Sequence, residues 1–386
     1  MPVRVQTNRL HLEGIVRYAR ERTSPMWQFH LEIGDNVPQH LTDLVSWGCD
    51  GIIAKIDKPE DRRRYLTMGI PCVFYEPSTL NVKKVVKREK VATFFNDHAE
   101  EGRTAAEYFL ARRYRSFAYV GSQTTTPWST ERQRGFAERL AQAGFGCEVY
   151  RMPSRAERED FSRESKRMTK WLKSLPVRTA ILVVHDRRAQ QVISTASFAG
   201  ISVPDKLSVL GVDDDWLICT ATTPAISSIA VDAEPIGFSF AETLDAMMKG
   251  AAVPHYHRTV HSRVITRAST DATAVNDPFV ARAIAKACRN PGDDLTIETL
   301  AREVGCSKRT LQMRVMKELG TTIGDEVARL RLTEALRLLM STNRSIAEIA
   351  HACGFCGASH LGLRLREVYG KTPSEIRAGR LDCRRG

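Results

Sequence analysis

Through the first 267 residues, two patterns of apolar residues alternate along the chain. Short runs of β-branched and aromatic residues are each followed by a stretch in which apolar residues recur every three or four positions. Apolar runs separated by amphipathic helices are typical of parallel βαβ units, whose strands are buried on both faces. The clearest predicted strands are residues 27–33, 50–56, 116–121, 179–185 and 207–212.

This repeat predicts about ten strands, a number that a single open sheet rarely holds. Two doubly wound α/β lobes facing a cleft are therefore favoured, and the helix predicted at 232–250 should return to pack on the first lobe. Ligands of such sheets bind outside the carboxyl ends of the strands. We accordingly look for ligand-binding residues directly after each strand.

A segment rich in small and polar residues ends this pattern, and the sequence beyond it is helical throughout. We predict an α/β domain at 1–267, a linker at 268–277 and an all-α domain at 278–386. In the all-α part a helix, a glycine-centred turn and a second helix follow one another twice, with the turn glycines Gly305 and Gly354 lying 49 positions apart. This is the layout of a tandem helix-turn-helix.

One amphipathic helix is predicted between the two helix-turn-helix elements, over residues 322–341. At 1.5 Å per residue its length is about 30 Å, close to the separation of about 34 Å between successive major grooves on one face of B-DNA. A rod of that length can hold both recognition helices against one side of a duplex that bends to meet them. Double-stranded DNA is therefore the predicted partner.

The composition is consistent with a cytoplasmic DNA-binding protein. The chain of 386 residues has a formal net charge of +12, and residues 278–386 carry 19 lysines and arginines against 12 acidic residues. The basic excess is thus concentrated in the predicted DNA-binding part. The nine cysteines are scattered and odd in number, as expected for reduced thiols. Neither a signal peptide nor an apolar run long enough to cross a membrane is apparent.

The second helix of the first helix-turn-helix presents polar side chains at its outer positions. Ser307 is placed to cap this helix, and Leu311, Val315 and Leu319 recur at helical spacing and should face the core. Glutamine pairs with adenine through two hydrogen bonds, while arginine and lysine reach guanine or phosphate. A solvated charged face is the alternative for one such helix, but the tandem arrangement favours DNA contact. The predicted contacts are Lys308, Arg309, Gln312 and Met313.

The second helix-turn-helix ends in a specific pattern, close to G-F-x-x-x-S-x-F and then x-G-x-T-P-x-x-x-R, which resembles the end of the DNA-binding domain of the AraC family. The resemblance covers nearly all of 278–386. Two positions usually held by phenylalanine are Leu361 and Leu365, which should still fill the core. Outer positions are poor in polar groups, so we expect more sequence readout from the first element. The matching residues are Gly354, Phe355, Ser359, Gly370, Thr372, Pro373 and Arg377. The predicted DNA contacts are Ser359, Leu363, Arg364 and Arg366.

Four motifs of the α/β part, SVLGVDDDW, TTPAISSI, ERQRGF and LVVHD, resemble the periplasmic-binding-protein-like sensor of LacI-type repressors. With an AraC-like domain behind it, such a sensor implies a small sugar effector bound between two lobes, a pentose such as xylose. Guanidinium and carboxylate groups suit vicinal hydroxyls because each makes paired, charge-assisted hydrogen bonds, and a tryptophan can lie over the sugar ring. The predicted ligand-binding residues are Arg132, Asp213, Asp186, Trp128 and His185, which stands at the family's usual asparagine position.

Structural alternatives exist for each of these residues. Arg132 can pair with Glu131 or Asp186 on the surface. Asp214 and Asp215 can cap the next helix, and Trp128 or Trp216 can be ordinary packing. Consecutive carboxylates on an extended segment do not converge on one bond, and the motifs of phosphate-binding loops, serine hydrolases and zinc proteases are missing. We therefore expect neither catalytic activity nor a cofactor.

Cys353 and Cys356 form a C-x-x-C at the second turn, near His351 and His360. No second pair accompanies it, so packing is favoured over a metal site.

Two other hypotheses stay open: a carbohydrate-binding or sugar-modifying protein whose basic helical tail docks a partner, and a thiol-based sensor. The resemblance to LacI-type and AraC-family regulators further implies a homodimer and contact with RNA polymerase.

Overall fold

A computed structural model of the chain describes residues 6–23, 26–31, 46–56, 59–76, 90–259, 262–270, 275, 277–289, 296–342 and 344–382. The chain divides into two compact units. Unit 1 comprises Met1–Glu100, Thr125–Arg132 and Ala230–His261, and unit 2 comprises Glu101–Thr124, Gln133–Ile229 and Ser262–Gly386. Among the described helices, none combines the length and the apolar character that a membrane span needs.

The described residues contain ten strands, in line with the number predicted. They are β1 (Ile52–Lys55), β2 (Cys72–Glu76), β3 (Val91–Asn96), β4 (Ser116–Val120), β5 (Glu148–Tyr150), β6 (Thr179–Val183), β7 (Leu207–Val212), β8 (Ser227–Val231), β9 (Tyr256–Thr259) and β10 (Ser262–Ile265).

The helices begin with α1 (Gln6–Arg22), α2 (Pro59–Leu66), α3 (His98–Ala111), α4 (Pro127–Gln142), α5 (Arg155–Glu159), α6 (Phe161–Ser174), α7 (Asp186–Phe198), α8 (Trp216–Ala221) and α9 (Ala233–Met248). The C-terminal part is entirely helical where it is described. It contains α10 (Pro278–Arg289), α11 (Ile297–Val304), α12 (Lys308–Leu319), α13 (Ile323–Ser341), α14 (Ile346–Ala352), α15 (Ala358–Tyr369) and α16 (Pro373–Asp382).

Unit 1 is built on a parallel four-stranded sheet with the order β1-β2-β3-β9. Alternate residues of β2 point to opposite faces of this sheet. Val73 and Tyr75 belong to one apolar cluster with residues of α1 and α9, while Cys72 and Phe74 belong to another with Tyr65 of α2. Both faces are thus covered, which confirms the doubly wound arrangement, and α9 packs on this unit as its sequence predicts.

The strand predicted at 27–33 is wrong for the residues that the structure describes. Residues 26–31 form neither strand nor helix, and positions 32–33 lie outside the described part of the chain. Trp27 instead packs against Tyr18 of α1, with 6.0 Å between the ring centroids. Its aromatic surface is therefore covered by a helix rather than by a sheet.

Helix α1, which the strand-and-helix repeat does not reveal, packs against α9 with its backbone in close contact. A Cβ atom at Gly237 would lie 1.9 Å from the carbonyl oxygen of His11. The His11 ring is buried between Tyr75 and Phe240, and burial lowers its pKa to about 3. This histidine is therefore an uncharged core residue at neutral pH, and the helices can approach only because Gly237 has no side chain.

We expect Gly237→Ala to destabilise unit 1 by about 2 kcal/mol, because the added methyl group forces α1 and α9 apart and overpacks the core. The midpoint of urea unfolding measures the loss. Gly146→Ala is the matched control, since a Cβ atom there meets nothing within 4 Å. Equal midpoints for the two variants would contradict the close helix contact.

Unit 2 contains a six-stranded sheet with the order β10-β8-β7-β6-β4-β5. The pairs β4–β5, β4–β6, β6–β7 and β7–β8 are all parallel. One face is covered by α6, α7 and α8, and the buried residues there include Leu172, Ile181, Val192, Val209 and Cys219. Because β6 and β7 are neighbours, their carboxyl ends lie at the same edge of the sheet, which brings the segments after them together.

The first residues of the predicted linker are packed inside unit 2. Ala268–Thr270 forms a short 3-10 helix, and Ser269 and Thr270 are fully buried. Ser269 accepts a hydrogen bond from the backbone N–H of Ser227 and donates one to the carbonyl oxygen of Val209. Positions 271–274 and 276 lie outside the described residues, so the domain limits stay a prediction.

The C-terminal helices form two separate apolar cores joined by α13. The first contains Leu300, Leu311 and Val315 of the first helix-turn-helix, with Leu319 partly buried beside them. The second contains Leu361 and Leu365 of the second helix-turn-helix, which fill the core as predicted. Helix α13 runs unbroken between the cores, in agreement with the single helix predicted at 322–341.

Candidate ligand and nucleic-acid sites

In unit 1, two of the predicted ligand-binding residues lie together at the start of α4. The guanidinium carbon of Arg132 is 5.6 Å from the centroid of the Trp128 ring, and one of its nitrogens is 3.3 Å from Nδ1 of His98. Arg132 is buried, with 3% of its surface exposed, and Trp128 is half-buried. A buried guanidinium stacked on an aromatic ring is pre-oriented for directional hydrogen bonds.

In unit 2, Asp213 follows β7 in a strained turn. Its φ is 99° and that of Asp214 is 51°, both in the left-handed region that residues with a Cβ atom rarely adopt. The segment is therefore a turn and not the extended chain assumed in the sequence argument about three consecutive carboxylates. Strain of this kind persists where the surroundings over-determine the conformation, and it is common at ligand sites.

Asp186 is one of the groups that hold this turn. Its carboxylate accepts a hydrogen bond from the Asp215 N–H at 2.8 Å and another from the Ser228 hydroxyl at 2.6 Å. The Ser228 Oγ in turn accepts the N–H of Asp214 at 3.0 Å. Burial and the nearby Asp213 carboxylate raise the pKa of Asp186 well above its ordinary value. Asp186 is 1% exposed. Its hydrogen bonds to Asp215 and Ser228 shape the Asp213 turn from inside the protein.

His185 and Asp215 cap the two helices that leave the sheet edge. Nδ1 of His185 accepts the N–H of Arg188 at 3.0 Å at the start of α7, and the Asp215 carboxylate accepts the N–H of Ile218 at the start of α8. The capping alternative is therefore observed for Asp215. Asp214 instead forms an ion pair with Arg267 at 2.8 Å.

The first helix-turn-helix has the turn and cap that its sequence predicts. Gly305 ends α11 with φ 79°, a left-handed conformation in which glycine is favoured. Ser307 caps α12 by accepting the N–H of Thr310 at 3.1 Å. The four predicted DNA contacts are all exposed on α12, namely Lys308, Arg309, Gln312 and Met313. Lys308 also pairs with Glu298 on the surface.

The second helix-turn-helix presents a less polar recognition helix. Ser345 and Glu348 form a reciprocal capping box at α14, whereas the residue before α15 is Gly357, which has no side chain to cap the helix. Leu363 is 59% exposed on α15, and Arg364 is hydrogen-bonded to Glu367. Ser359 and Arg366 are also exposed. This outer face carries two arginines, a serine and an exposed leucine at the predicted positions, and none of these four has the amide group that pairs with adenine.

Comparison with known proteins agrees with this architecture. Residues 106–270 match the periplasmic binding protein-like domain family, and residues 300–379 match a helix-turn-helix domain family. The xylose operon regulatory protein of Escherichia coli K12 is 27% identical over 369 residues, covering 95% of this chain and 92% of that protein. The Haemophilus influenzae protein of that name is 26% identical over 379 residues, covering 96% and 94%. The solved structure of the xylose-binding transcription activator XylR superimposes with a TM-score of 0.59 at 26% identity, covering 96% of this chain and 94% of that one.

The chain is a DNA-binding transcription regulator that combines a periplasmic-binding-protein-like domain with a helix-turn-helix domain. This is the architecture that its two sets of motifs predict.

Sequence reasoning missed several groups around the candidate sites of this regulator. His98, beside Arg132, starts a helix whose first turn carries no distinctive motif. Ser228 and Arg267 contact Asp214 in this turn from positions 14 or more residues away in sequence, where spacing carries no signal. The only indication of Ser228 was its place in the TTPAISSI motif.

The paired cysteines of the second helix-turn-helix have different surroundings. Cys353 is fully buried in the second helical core, in agreement with the packing role predicted, and Cys356 is exposed. Within the described part of the regulator, no group of three or more histidine, cysteine or acidic side chains is arranged to hold a metal ion.

Proposed function

We propose that the regulator responds to a small sugar, a pentose such as xylose, and controls genes for its breakdown. The observation that carries the proposal is the match over 95% of the chain to proteins named for the xylose operon. Two features of the structure support it independently. The exposed polar and basic side chains of the recognition helices suit a nucleic acid, and the carboxylate of the Asp213 turn suits a polyhydroxylated ligand. Sugar-induced closure of the two sensor lobes is the mechanism proposed.

We assign different roles to the candidate sugar-binding residues. Arg132 and Asp213 supply charge-assisted hydrogen bonds to sugar hydroxyls, and Trp128 supplies an aromatic face. Asp186 acts as a positioning residue, because its oxygens already accept hydrogen bonds within the turn. His185 keeps a proposed ligand contact in addition to capping α7.

Further parts of the proposal concern assembly and location. The regulator works in the cytoplasm as a homodimer that contacts RNA polymerase at its promoter, without catalytic activity of its own. The sensor occupies 1–267 and the DNA-binding domain 278–386, joined at 268–277. A carbohydrate-binding or sugar-modifying protein with a docking tail is the competing hypothesis, and it predicts no binding to duplex DNA.

Titration of promoter DNA with and without sugars tests the proposed function. We expect a pentose to change the DNA affinity, since an effector shifts an equilibrium only by its differential affinity for two states. D-xylose, L-arabinose, D-ribose and D-glucose form the panel, and a thermal shift identifies which of them binds. DNA binding that ignores every sugar of the panel would remove the effector assignment while leaving the DNA-binding function intact.

We expect Gln312→Ala to weaken binding to the preferred operator by about 1–3 kcal/mol, because glutamine can pair with adenine through two hydrogen bonds. The variant should also lose its preference for adenine at that one base position and keep its preferences elsewhere. Competition between operators that differ at single bases measures the effect. Gln142→Ala, at the end of α4 in the sensor, is the control and should change nothing. Equal weakening across all sequences would show that Gln312 contacts the backbone only.

A further inference from the structure

Within unit 2, the end of helix α3 meets the DNA-binding domain. Ala111, the last residue of α3, lies in the apolar cluster of the first helix-turn-helix, beside residues such as Ile323 and Val327 of α13. Its carbonyl oxygen accepts a hydrogen bond from Arg329 of α13 at 3.0 Å. A side chain of the DNA-binding domain thus caps a sensor helix whose last carbonyl groups have no partner within the helix.

Glu326 of α13 closes this junction from the other side. It is 1% exposed, and its carboxylate accepts hydrogen bonds from Arg329 at 2.8 Å and from Arg113 at 3.0 Å. Burial acts to raise the pKa of Glu326, but the hydrogen bonds and charges of the two arginines outweigh it and lower the pKa overall. Glu326 is therefore ionised at neutral pH and is shared by one arginine of the sensor and one of the DNA-binding domain.

The backbone of Arg113 adds a second, independent observation. Its φ is 65°, in the left-handed region, just after the end of α3. Glycine is the residue that ends helices most readily in this conformation, and an arginine there carries a conformational cost. Arg113, the residue that carries this backbone cost, is also the residue whose side chain reaches Glu326.

The first residue of helix α3, His98, lies beside Arg132, one of the proposed sugar-binding residues. The helix runs without interruption from His98, whose ring nitrogen lies 3.3 Å from Arg132, to Ala111. Along its length, Glu107 pairs with Arg139 at 2.5 Å. In addition to burial, the charge of Glu107 raises the pKa of Tyr369 at the end of α15. The same helix therefore lies near both helix-turn-helix elements.

We propose that α3 couples the sensor to DNA binding, and that the Arg113–Glu326–Arg329 cluster is the clamp through which its movement reaches α13. The proposal rests on the proposed function for the effector. When the sugar changes the contacts of Arg132 and His98, α3 shifts, and the clamp carries that shift into the rod that holds both recognition helices. A buried shared carboxylate suits this task because it fixes the register of the two helices.

Arg113→Asn in the full-length regulator tests the clamp, because asparagine tolerates the left-handed backbone but cannot reach Glu326 as a cation. We expect the variant to bind pentose and DNA separately with affinities within about threefold of the parent. In the parent protein we expect pentose to change the DNA affinity by a factor of about 5 to 150, the range that is typical of allosteric coupling. In Arg113→Asn this factor should fall below about two. Glu326→Gln should give the same loss. Arg178→Asn is the control, since Arg178 has the same φ of 65° but lies in the turn before β6.

Hydrogen exchange of the α13 amides separates the possible outcomes. Faster exchange between Glu326 and Leu330 in Arg113→Asn, with no change in Arg178→Asn, supports the clamp. Exchange equal to that of the parent protein, or an undiminished sugar response in both clamp variants, overturns it. If the parent protein itself ignores every sugar, the proposed function fails, and the exchange measurement still decides whether the clamp holds α13.

Discussion

Asp213→Asn is expected to weaken pentose binding about 100-fold while leaving DNA affinity without sugar within threefold of the parent. Loss of the charge weakens paired hydrogen bonds to sugar hydroxyls, at a combined cost of about 3 kcal/mol. Asparagine is chosen because it is one of the few residues that tolerate a positive φ, and Asp213 has a φ of 99°. Alanine at this position would mix a backbone effect with the loss of the carboxylate. Isothermal titration calorimetry gives the sugar affinity directly.

Asp205→Asn serves as the control for Asp213→Asn. Asp205 is exposed in the turn before β7, on the same segment of unit 2, so its replacement removes the same charge without touching the strained turn. Asp186→Asn is informative as a third variant, because it keeps the shape of the residue that accepts the N–H of Asp215. If Asp213→Asn binds pentose as tightly as Asp205→Asn does, the effector site lies elsewhere.

The regular parts of the fold could be predicted because they depend on local periodicity. Strand spacing predicted β6 and β7, and helical spacing predicted α13 and the buried positions of Leu311 and Val315. Capping is equally local, since Ser307 needs only the N–H groups of the next turn. These features need no knowledge of what packs against them.

The candidate sites depend on contacts between distant parts of the chain, which spacing does not encode. Asp186 was predicted as a ligand contact from its place after β6, yet its partners come from the segments after β7 and from β8. The clamp at Glu326 joins residues more than 200 positions apart in sequence. On the surface of an isolated α13, Glu326 would have looked like an ordinary exposed acid. Only the fold shows that it is buried.

The predicted DNA contacts also illustrate why an exposed position is not enough to assign a role. Lys308 and Arg364 both have acidic neighbours, Glu298 and Glu367, in pairs that are 37–58% exposed. Such exposed pairs contribute little to stability, so their cations can exchange a carboxylate for a phosphate at small cost. The pairs are therefore compatible with either a solvated face or a DNA-binding one, and a binding measurement has to separate the two.

Raising the salt concentration from 50 to 200 mM is expected to weaken operator binding about 100-fold for each DNA-binding domain. The estimate assumes about four phosphate contacts, from Lys308, Arg309, Arg364 and Arg366, and a slope of about −0.9 per contact in the logarithm of affinity against that of salt. Fluorescence anisotropy with a labelled operator measures the slope. Because the two arginines of the second recognition helix are assigned to phosphates, most of its contribution should appear in this salt-dependent part of the affinity.

Arg366→Ala should reduce the magnitude of that slope by about 1 and weaken all DNA sequences alike, since a phosphate contact carries no base preference. Arg155→Ala, on the exposed helix α5 of the sensor, should leave the slope unchanged and so controls for the general loss of positive charge. A slope near zero for the parent protein would favour the competing hypothesis, in which the basic helices dock a protein partner. Salt dependence that persists undiminished in Arg366→Ala would instead place the phosphate contacts on other residues, such as Arg364 of the same helix and the cations of α12.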